Sequence, residues 1–360
     1  MNKRFFYQSM ISGLVAALFF TSCSGGDEPE IDPEEWTGAE YIYVLNSGKM
    51  NSNNASLSGY NPEDGTVLKD VFLARNGRRL GDTGQDIVVY GSKMYIAVYT
   101  ESTIEVTDLD ANSIKQIRTE GQPRHMAVDG GKVYVTYSNG YVARLDTGSL
   151  EVEARVRVGR NPEKLVVVAD RLYVANSGGF DHNTPGVGYD NTVSVVDVAS
   201  FSEVKKIEVV INPCEVTYDK MGNVYVVSMG DYGAVPNTLQ RINTVSDEVS
   251  VVEDFNGTYL AVAGEVLYTI FSQYDANWNQ IISYYSYDMI GDRVLSDRFV
   301  GDTGIEKPYA MNYDEAGESL FITTSDYTND GDVFVFDKAN NYVGRFEAGL
   351  NPIKVVHVKK

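Results

Sequence analysis

Apolar runs recur along the chain, and each carries an aromatic residue at the same register. The seven aromatics, separated by 39 to 53 residues, are Tyr43, Tyr95, Tyr134, Tyr173, Tyr225, Tyr268 and Phe321. A second β-rich run follows each aromatic and ends at Asn61, Asp108, Asp146, Asp197, Asn243, Asp288 or Asp337. A third apolar run then follows. A repeat of this length, built of several short strands, predicts blades of a β-propeller rather than a helical solenoid, and therefore an all-β fold.

One repeat unit can be read without interruption over residues 161–209. Residues 164–168, 172–175, 192–197 and 203–209 are rich in β-branched and aromatic side chains, and Gly, Asn, Asp and Pro separate them. These runs predict strands A, B, C and D of one blade, with A nearest the axis. The Asp or Asn that closes strand C is expected to accept hydrogen bonds from the next turn, which is a structural role.

The two ends of the repeat region predict how the ring closes. The first unit begins at a B strand, residues 41–45, whereas the last run, residues 353–358, is a spare A strand. Pairing of these two runs hides both sheet edges. The sequence therefore predicts a seven-bladed β-propeller over residues 39–360, closed by its N- and C-terminal strands.

The first 38 residues carry a different pattern. Lys3 and Arg4 precede an apolar stretch from Met10 to Phe20 that is too short to span a bilayer, and Cys23 follows. Residues 1–22 are predicted to be a lipoprotein signal peptide, with Cys23 as the lipidated residue. Residues 23–38 are predicted to be an acidic tether, either an export tag for the cell surface or a plain linker facing the periplasm.

The chain is strongly acidic, with a formal net charge of −20. Such a charge repels phosphate backbones, so nucleic acid is not an expected partner. Contact with a membrane is expected only through the lipid anchor. Cys214, the second of two cysteines, has no partner left for a disulfide and is predicted to be a small core residue.

Strand direction alternates within a blade, so the B-to-C and D-to-A connections share one end of the disc. We call this end the loop face, and the opposite end, which carries the A-to-B and C-to-D connections, the turn face. The long connections all fall on the loop face: residues 46–55, 176–191, 228–237, 272–279 and 325–331, with 75–85 and 301–308. Long loops on a rigid scaffold commonly carry the binding site.

The loop face concentrates aromatic and amide side chains. The candidate ligand-binding residues are Phe180, Tyr189, Tyr232, Tyr274, Trp278, Tyr309, Tyr327, Asn176 and Asn212. Aromatic surface with neutral amides suits a large, polar, mostly uncharged ligand, although Asn and Tyr also occur in loops for structural reasons. Arg124, Arg160 and Lys307 lie near the same face, where one of them is a candidate for pairing with a phosphate.

Catalysis has little support in the sequence. Of the three histidines, His125 follows Pro123 at the start of an A strand, His182 lies in the longest loop, and His357 lies in the closing strand. None of them forms a pair at a recognised metal-binding spacing. We therefore expect no catalytic residue, no metal site and no enzymatic activity.

Segments of the repeat resemble two known groups of propellers. "RLYVANSGG" and "VGRNPEKLVVV" resemble the YVTN/YncE-like propellers. "NSGGFDHNTPGVGYDNTVSVVD" and "GDVFVFDKANNYVGRFEAGLNPIKVV" are similar to the Bacteroidetes propeller lipoproteins that include the BtuG cobalamin-binding proteins.

The resemblance implies an outer-membrane lipoprotein exposed at the cell surface. It further implies that cobalamin or a related corrinoid is a bound ligand rather than a cofactor, and that a TonB-dependent transporter is the partner. The alternatives are a surface propeller that binds a glycan or peptide for another importer, and a propeller lyase or lactonase.

Overall fold

A computed structural model describes residues 40–253, 256–275, 277 and 279–359. The predicted signal peptide, the acidic tether with Cys23, and Trp278 lie outside the described residues.

The described chain forms seven four-stranded antiparallel sheets, and the inner strands of neighbouring sheets pack against one another around an axis. This is the seven-bladed β-propeller that the repeat predicts. The inner A strands of blades 1 to 7 are Pro352–Lys359 (β28), Gly84–Tyr90 (β4), Pro123–Asp129 (β8), Pro162–Val168 (β12), Pro213–Tyr218 (β16), Tyr259–Ala263 (β20) and Pro308–Asp314 (β24). The B strands are Glu40–Asn46 (β1), Lys93–Val98 (β5), Lys132–Tyr137 (β9), Arg171–Asn176 (β13), Asn223–Ser228 (β17), Val266–Tyr274 (β21) and Ser319–Thr324 (β25).

The C and D strands complete each blade toward the outside. The C strands are Ser56–Tyr60 (β2), Thr103–Asp108 (β6), Tyr141–Asp146 (β10), Thr192–Asp197 (β14), Thr238–Asn243 (β18), Gln280–Asp288 (β22) and Asp330–Phe336 (β26). The D strands are Val67–Leu68 (β3), Ser113–Arg118 (β7), Glu151–Arg157 (β11), Ser202–Glu208 (β15), Val249–Val251 (β19), Arg293–Ser296 (β23) and Tyr342–Leu350 (β27).

The ring closes through the two ends of the propeller, as predicted. β28 pairs antiparallel with β1, and Val356 lies opposite Tyr43 in the register. Both strands are buried over most of their length. Blade 1 is therefore assembled from both ends of the described chain, and β1 is paired on both of its edges, with β28 and with β2.

The repeated aromatic of each B strand is buried between its own blade and the next. Tyr95 of blade 2 packs in one cluster with Val133 and Val135 of blade 3. Phe321 of blade 7 packs with Val44 and Val355 of blade 1. The aromatic recurs at one register because a large ring at that position fills the wedge between adjacent twisted sheets.

The Asp or Asn that closes each C strand caps the following turn. In all seven blades its side-chain oxygen accepts a hydrogen bond from a backbone N–H of that turn, as when Asp197 Oδ1 accepts from Ser200 N at 2.8 Å. This confirms the structural role predicted for these residues.

The A strands begin with a β-bulge in six of the seven blades. The register shifts between Gly84 and Asp86 in blade 2, and the same irregularity occurs at the start of the A strand in blades 1, 3, 4, 5 and 7. A bulge inserts an extra residue and interrupts the alternation of side chains between the two faces. Consecutive residues such as Ile353 and Lys354 therefore both line the axial channel.

Two local features differ from the sequence prediction. A six-residue helix, Val71–Asn76 (α1), follows the short D strand of blade 1, and Asp70 caps it by accepting a hydrogen bond from Leu73 N at 3.1 Å. The predicted loop 272–279 is shorter, because β21 and β22 stay paired as far as Tyr274 and Gln280. Within the described residues no helix is long and apolar enough to cross a membrane.

Candidate functional site

The propeller axis contains two hollows separated by a ring of side chains. The hollow toward the loop face has a volume of about 180 Å³, and the hollow toward the turn face has a volume of about 330 Å³. Six residues line both hollows, and we call them the axial waist. They are Asp86, His125, Lys164, Glu215, Met311 and Lys354.

The charged residues of the axial waist belong to blades 1 to 5 and balance one another. Lys164 Nζ lies 2.6 Å from Glu215 Oε2, whereas Lys354 Nζ is 3.8 Å from Asp86 Oδ1. Asp86 is held in place because its two carboxylate oxygens accept backbone hydrogen bonds of 2.9 and 2.8 Å. Burial raises the pKa of Glu215. Lys164 and Glu215 therefore form a close ion pair, whereas the nearest charged atoms of Lys354 and Asp86 lie about an ångström farther apart.

His125 lies between two carboxylates without touching either. Its Nδ1 is 3.8 Å from Asp86 Oδ2, and its Nε2 is 3.9 Å from Glu163 Oε2. Burial, followed by the neighbouring Arg124, lowers the pKa of His125 well below its usual value, so the ring is neutral at neutral pH. Both gaps exceed hydrogen-bonding distance.

Arg124 is neutralised and covered by aromatic rings. Its guanidinium forms an ion pair with Glu163, and its Cζ lies 5.1 Å from the ring centroid of Phe180 and 5.7 Å from that of Tyr99. Both distances are those of cation–π contacts. Arg124 therefore holds Phe180 in place and already has a carboxylate partner, and its pairing with a phosphate stays a prediction.

Aromatic side chains surround the loop-face end of the axis in blades 4 to 7. The side chains of Phe180, Tyr232, Tyr274 and Tyr327 are 56%, 65%, 60% and 64% exposed. Together with Tyr189 and Tyr309 we call them the aromatic rim. Several large rings left open to solvent on one face indicate an interaction surface.

The half-buried members of the aromatic rim are anchored by neighbouring rings. Tyr309 packs edge-on against Tyr327 with 5.6 Å between ring centroids, and burial raises the pKa of Tyr309 to about 12. Tyr189 stacks on His182 with a centroid separation of 4.2 Å. Tyr309 and Tyr259 also line the loop-face hollow, so the rim continues down toward the axial waist.

Asparagines that precede the A strands position the rim. Asn161 has a positive φ of 44°, which Asn tolerates better than most residues. Its amide donates to Ser138 O of blade 3, and its Oδ1 accepts from Phe180 N at 3.1 Å. The Asn–Pro pair at the start of an A strand thus links two blades and fixes the loop that carries Phe180.

Asn176 and Asn212, two of the predicted ligand-binding residues, are both buried. The Asn176 carboxamide accepts from Gly159 N at 3.1 Å and donates to Thr192 Oγ1 and Ser194 Oγ at 3.0 and 2.9 Å. Asn212 donates to Gly230 O at 3.2 Å. Both amides hold strands and loops together, and their contact with a ligand stays a prediction.

The two other predicted basic residues lie in different situations. Arg160 is committed to the loop of blade 4, since it pairs with Asp181 and donates to Gly188 O at 3.0 Å. It therefore shapes this loop, and its pairing with a phosphate stays a prediction. Lys307 is exposed, and its backbone has a positive φ of 51°. Only Lys307 of the three predicted basic residues has a side chain without a competing ion pair within the described part of the chain.

The structure brings together Phe180 with Arg124 and Tyr309 with Tyr327, and it leaves Trp278 outside the described residues. Cys214 lies at the start of an A strand near the axial waist, where burial raises the pKa of its thiol.

Sequence reasoning missed the charged members of the axial waist other than His125. Their signal was a charged residue two positions after the first residue of an A strand, as in "PEK", "PCE" and "PIK". Across the described residues, no group of three or more His, Cys, Asp or Glu could hold a metal ion.

The seven sheets define this chain as a seven-bladed β-propeller, and comparison with known proteins gives its family. Residues 40–271 match the family described as a domain of unknown function (DUF5074), and the chain belongs to that family. A search of curated protein sequences finds no match.

Several solved structures share the fold at low sequence identity. One is a quinonprotein alcohol dehydrogenase-like protein from Bacteroides thetaiotaomicron, with 14% identity and a TM-score of 0.61 over 87% of this chain and 77% of that chain. Another is a putative 6-phosphogluconolactonase from Bacteroides fragilis, with 12% identity and a TM-score of 0.61 over 89% and 98%. The hydrazine synthase of Kuenenia stuttgartiensis is 16% identical, with a TM-score of 0.59 over 75% and 93%. At these identities the likeness shows the fold alone.

Proposed function

We propose that this propeller is a lipid-anchored binding protein of the outer membrane. In this proposal the aromatic rim captures a corrinoid such as cobalamin at the cell surface, and a TonB-dependent transporter receives the ligand. The seven-bladed fold fits a binding or scaffold role. The observation that carries the proposal is the set of four aromatic side chains, each more than half exposed, on the loop face of blades 4 to 7.

The character of the rim favours a broad, neutral ligand. Rings of Phe and Tyr offer flat apolar contact and hydroxyl groups, while the nearby cations Arg124 and Arg160 already have carboxylate partners. A corrin macrocycle is wide and carries many amides, so it needs ring contacts and few charges. The sequence resemblance to cobalamin-binding propeller lipoproteins gives the ligand its identity in this proposal.

Calorimetric titration with cyanocobalamin tests the ligand. We expect the wild-type protein to bind it with a Kd below about 10 µM. Phe180→Ala and Tyr232→Ala should each weaken binding about 30-fold, which corresponds to about 2 kcal/mol for a well-packed aromatic contact. Tyr218→Ala is the matched control, because Tyr218 is an exposed tyrosine on blade 5, like Tyr232, but lies at the opposite end of the blade.

If the wild type does not bind cyanocobalamin, the corrinoid assignment is wrong. A glycan- or peptide-binding propeller then becomes the leading function, and retention of the protein on immobilised polysaccharide or peptide would support it. One of the structural neighbours is a putative 6-phosphogluconolactonase, so a hydrolase assay on lactones tests the remaining alternative.

The proposed anchor has a separate test. Cys23→Ala should release the protein from the outer membrane, because the lipid on Cys23 is the only attachment that the proposal includes. Protease added to intact cells should digest the wild-type protein if it is exposed at the surface. Complete protection would place the protein on the periplasmic side instead.

A further inference from the structure

We propose that the axial waist is a second binding site, which takes a small zwitterion with an apolar side chain, such as an aliphatic α-amino acid. The proposal concerns the channel beneath the aromatic rim and does not depend on which ligand the rim binds.

The charges around the waist alternate and cancel. Lys164 and Lys354 oppose Asp86 and Glu215, while Arg124 is neutralised by Glu163 and the ring of His125 is uncharged. A guest with a net charge would disturb this balance in a half-buried site, where unpaired charge is costly. A guest with one positive and one negative group preserves it.

The apolar side of the channel lies between two of these charges. Blades 6 and 7 contribute Leu260, Ala261 and Met311 to the channel lining. Glu215 belongs to blade 5 and Lys354 to blade 1, so these two residues flank the apolar arc on either side. An amino acid whose side chain packs against blades 6 and 7 can therefore direct its ammonium group to Glu215 and its carboxylate to Lys354.

The waist also contains polar groups that are spaced for a guest. Lys354 Nζ has its nearest carboxylate at 3.8 Å, and the two ring nitrogens of His125 have theirs at 3.8 and 3.9 Å. A gap of this length can be bridged by a polar group of a guest that approaches from the channel. The turn-face hollow, which Leu260 and Ala261 line, has a volume of about 330 Å³, at the lower end of the roughly 300 to 1,000 Å³ of ligand pockets, so the guest is a single small molecule.

The wild-type protein tests the charge requirement when it is titrated with L-leucine and two analogues. 4-Methylpentanoate lacks the ammonium group, and 3-methylbutylamine lacks the carboxylate. We expect L-leucine to bind and each analogue to bind at least about tenfold more weakly. The proposal is overturned if either analogue binds as tightly as L-leucine, or if a calorimetric titration with L-leucine to about 10 mM shows no binding heat.

Variants then place the site. Lys354→Met and Glu215→Gln should each weaken L-leucine binding at least about tenfold, whereas Lys354→Arg should retain it. Lys338→Met is the matched control, because Lys338 is an exposed lysine in a turn of blade 7. If Phe180→Ala weakens L-leucine binding while Lys354→Met and Glu215→Gln do not, the amino acid binds at the aromatic rim and the proposal is overturned. If the Met and Gln variants do not fold, the analogue series on the wild-type protein decides.

Discussion

Substitution of Asn176 by Ala tests whether this residue serves the fold or the ligand. The substitution removes three hydrogen bonds of 2.9 to 3.1 Å from a fully buried side chain. Each bond contributes roughly 1 kcal/mol, and the buried Gly159 N–H is left without an acceptor. We expect the free energy of unfolding to fall by about 3 kcal/mol, while the affinity of the folded protein for cyanocobalamin stays unchanged.

Urea denaturation followed by tyrosine fluorescence and circular dichroism measures the loss. With an m value of about 3 kcal/mol/M, the midpoint should fall by on the order of 1 M. Asn183→Ala is the control in the same loop, because Asn183 is exposed and should change stability by less than about 0.5 kcal/mol.

Gly159→Ala tests the same contact from the residue that donates to Asn176. A Cβ atom at Gly159 would lie 2.4 Å from Asn176 Cγ, so Gly159→Ala must displace the carboxamide and should lower the midpoint as well. The reasoning is refuted if Asn176→Ala unfolds at the same urea concentration as Asn183→Ala. It is also refuted if cyanocobalamin affinity drops while the midpoint stays unchanged, since Asn176 would then contact the ligand.

Three further predictions concern the scaffold. Phe321→Ala should lower the free energy of unfolding by about 3 to 5 kcal/mol, because its fully buried ring fills the contact between blades 7 and 1; a loss below about 1 kcal/mol in a denaturant titration would contradict this. Deletion of residues 353–360 should leave β1 with an open edge and cause aggregation, which light scattering detects, and a monomeric product would contradict the strand closure. Backbone N–H donors lower the pKa of Asp197 and Asp288 below 3.8, so the stability they contribute is present above about pH 4 and is lost as the pH falls through their lower folded-state pKa values. Asp197→Asn keeps the acceptor oxygen, and it should make the acid limb of the stability–pH profile shallower; an unchanged slope would count against the role of this turn.

The sequence predicted those features that repeat in every blade. Tyr95 and Phe321 occupy the same register because every pair of neighbouring blades leaves the same wedge to fill. An Asp or Asn such as Asp197 closes every C strand because each C-to-D turn has a backbone N–H that needs an acceptor. Strand pairing at the closure followed from the missing A strand of the first unit and the spare one at the end. Each of these predictions depends on local patterning that a single sequence displays.

The candidate site was harder to predict from the sequence, because its geometry depends on bulges and on contacts between distant segments. A bulge has no distinct signature in an apolar run, so the pair Glu163 and Lys164 could not be assigned to the axis by alternation. The roles of Asn176 and Arg160 were equally hidden. Whether an amide or a guanidinium faces solvent or a neighbouring loop is decided by contacts between segments that are distant in the sequence.

The bulge at the start of an A strand divides that strand into two parts, and substitutions in the two parts have different consequences. Further along each A strand, substitutions alter the packing between blades, so selection for folding restricts them. At the bulge, residues such as Ile353 and Lys354 line the channel, so substitutions there change what the channel presents to a ligand. Six blades offer such positions, so a library randomised there could alter what the channel accepts.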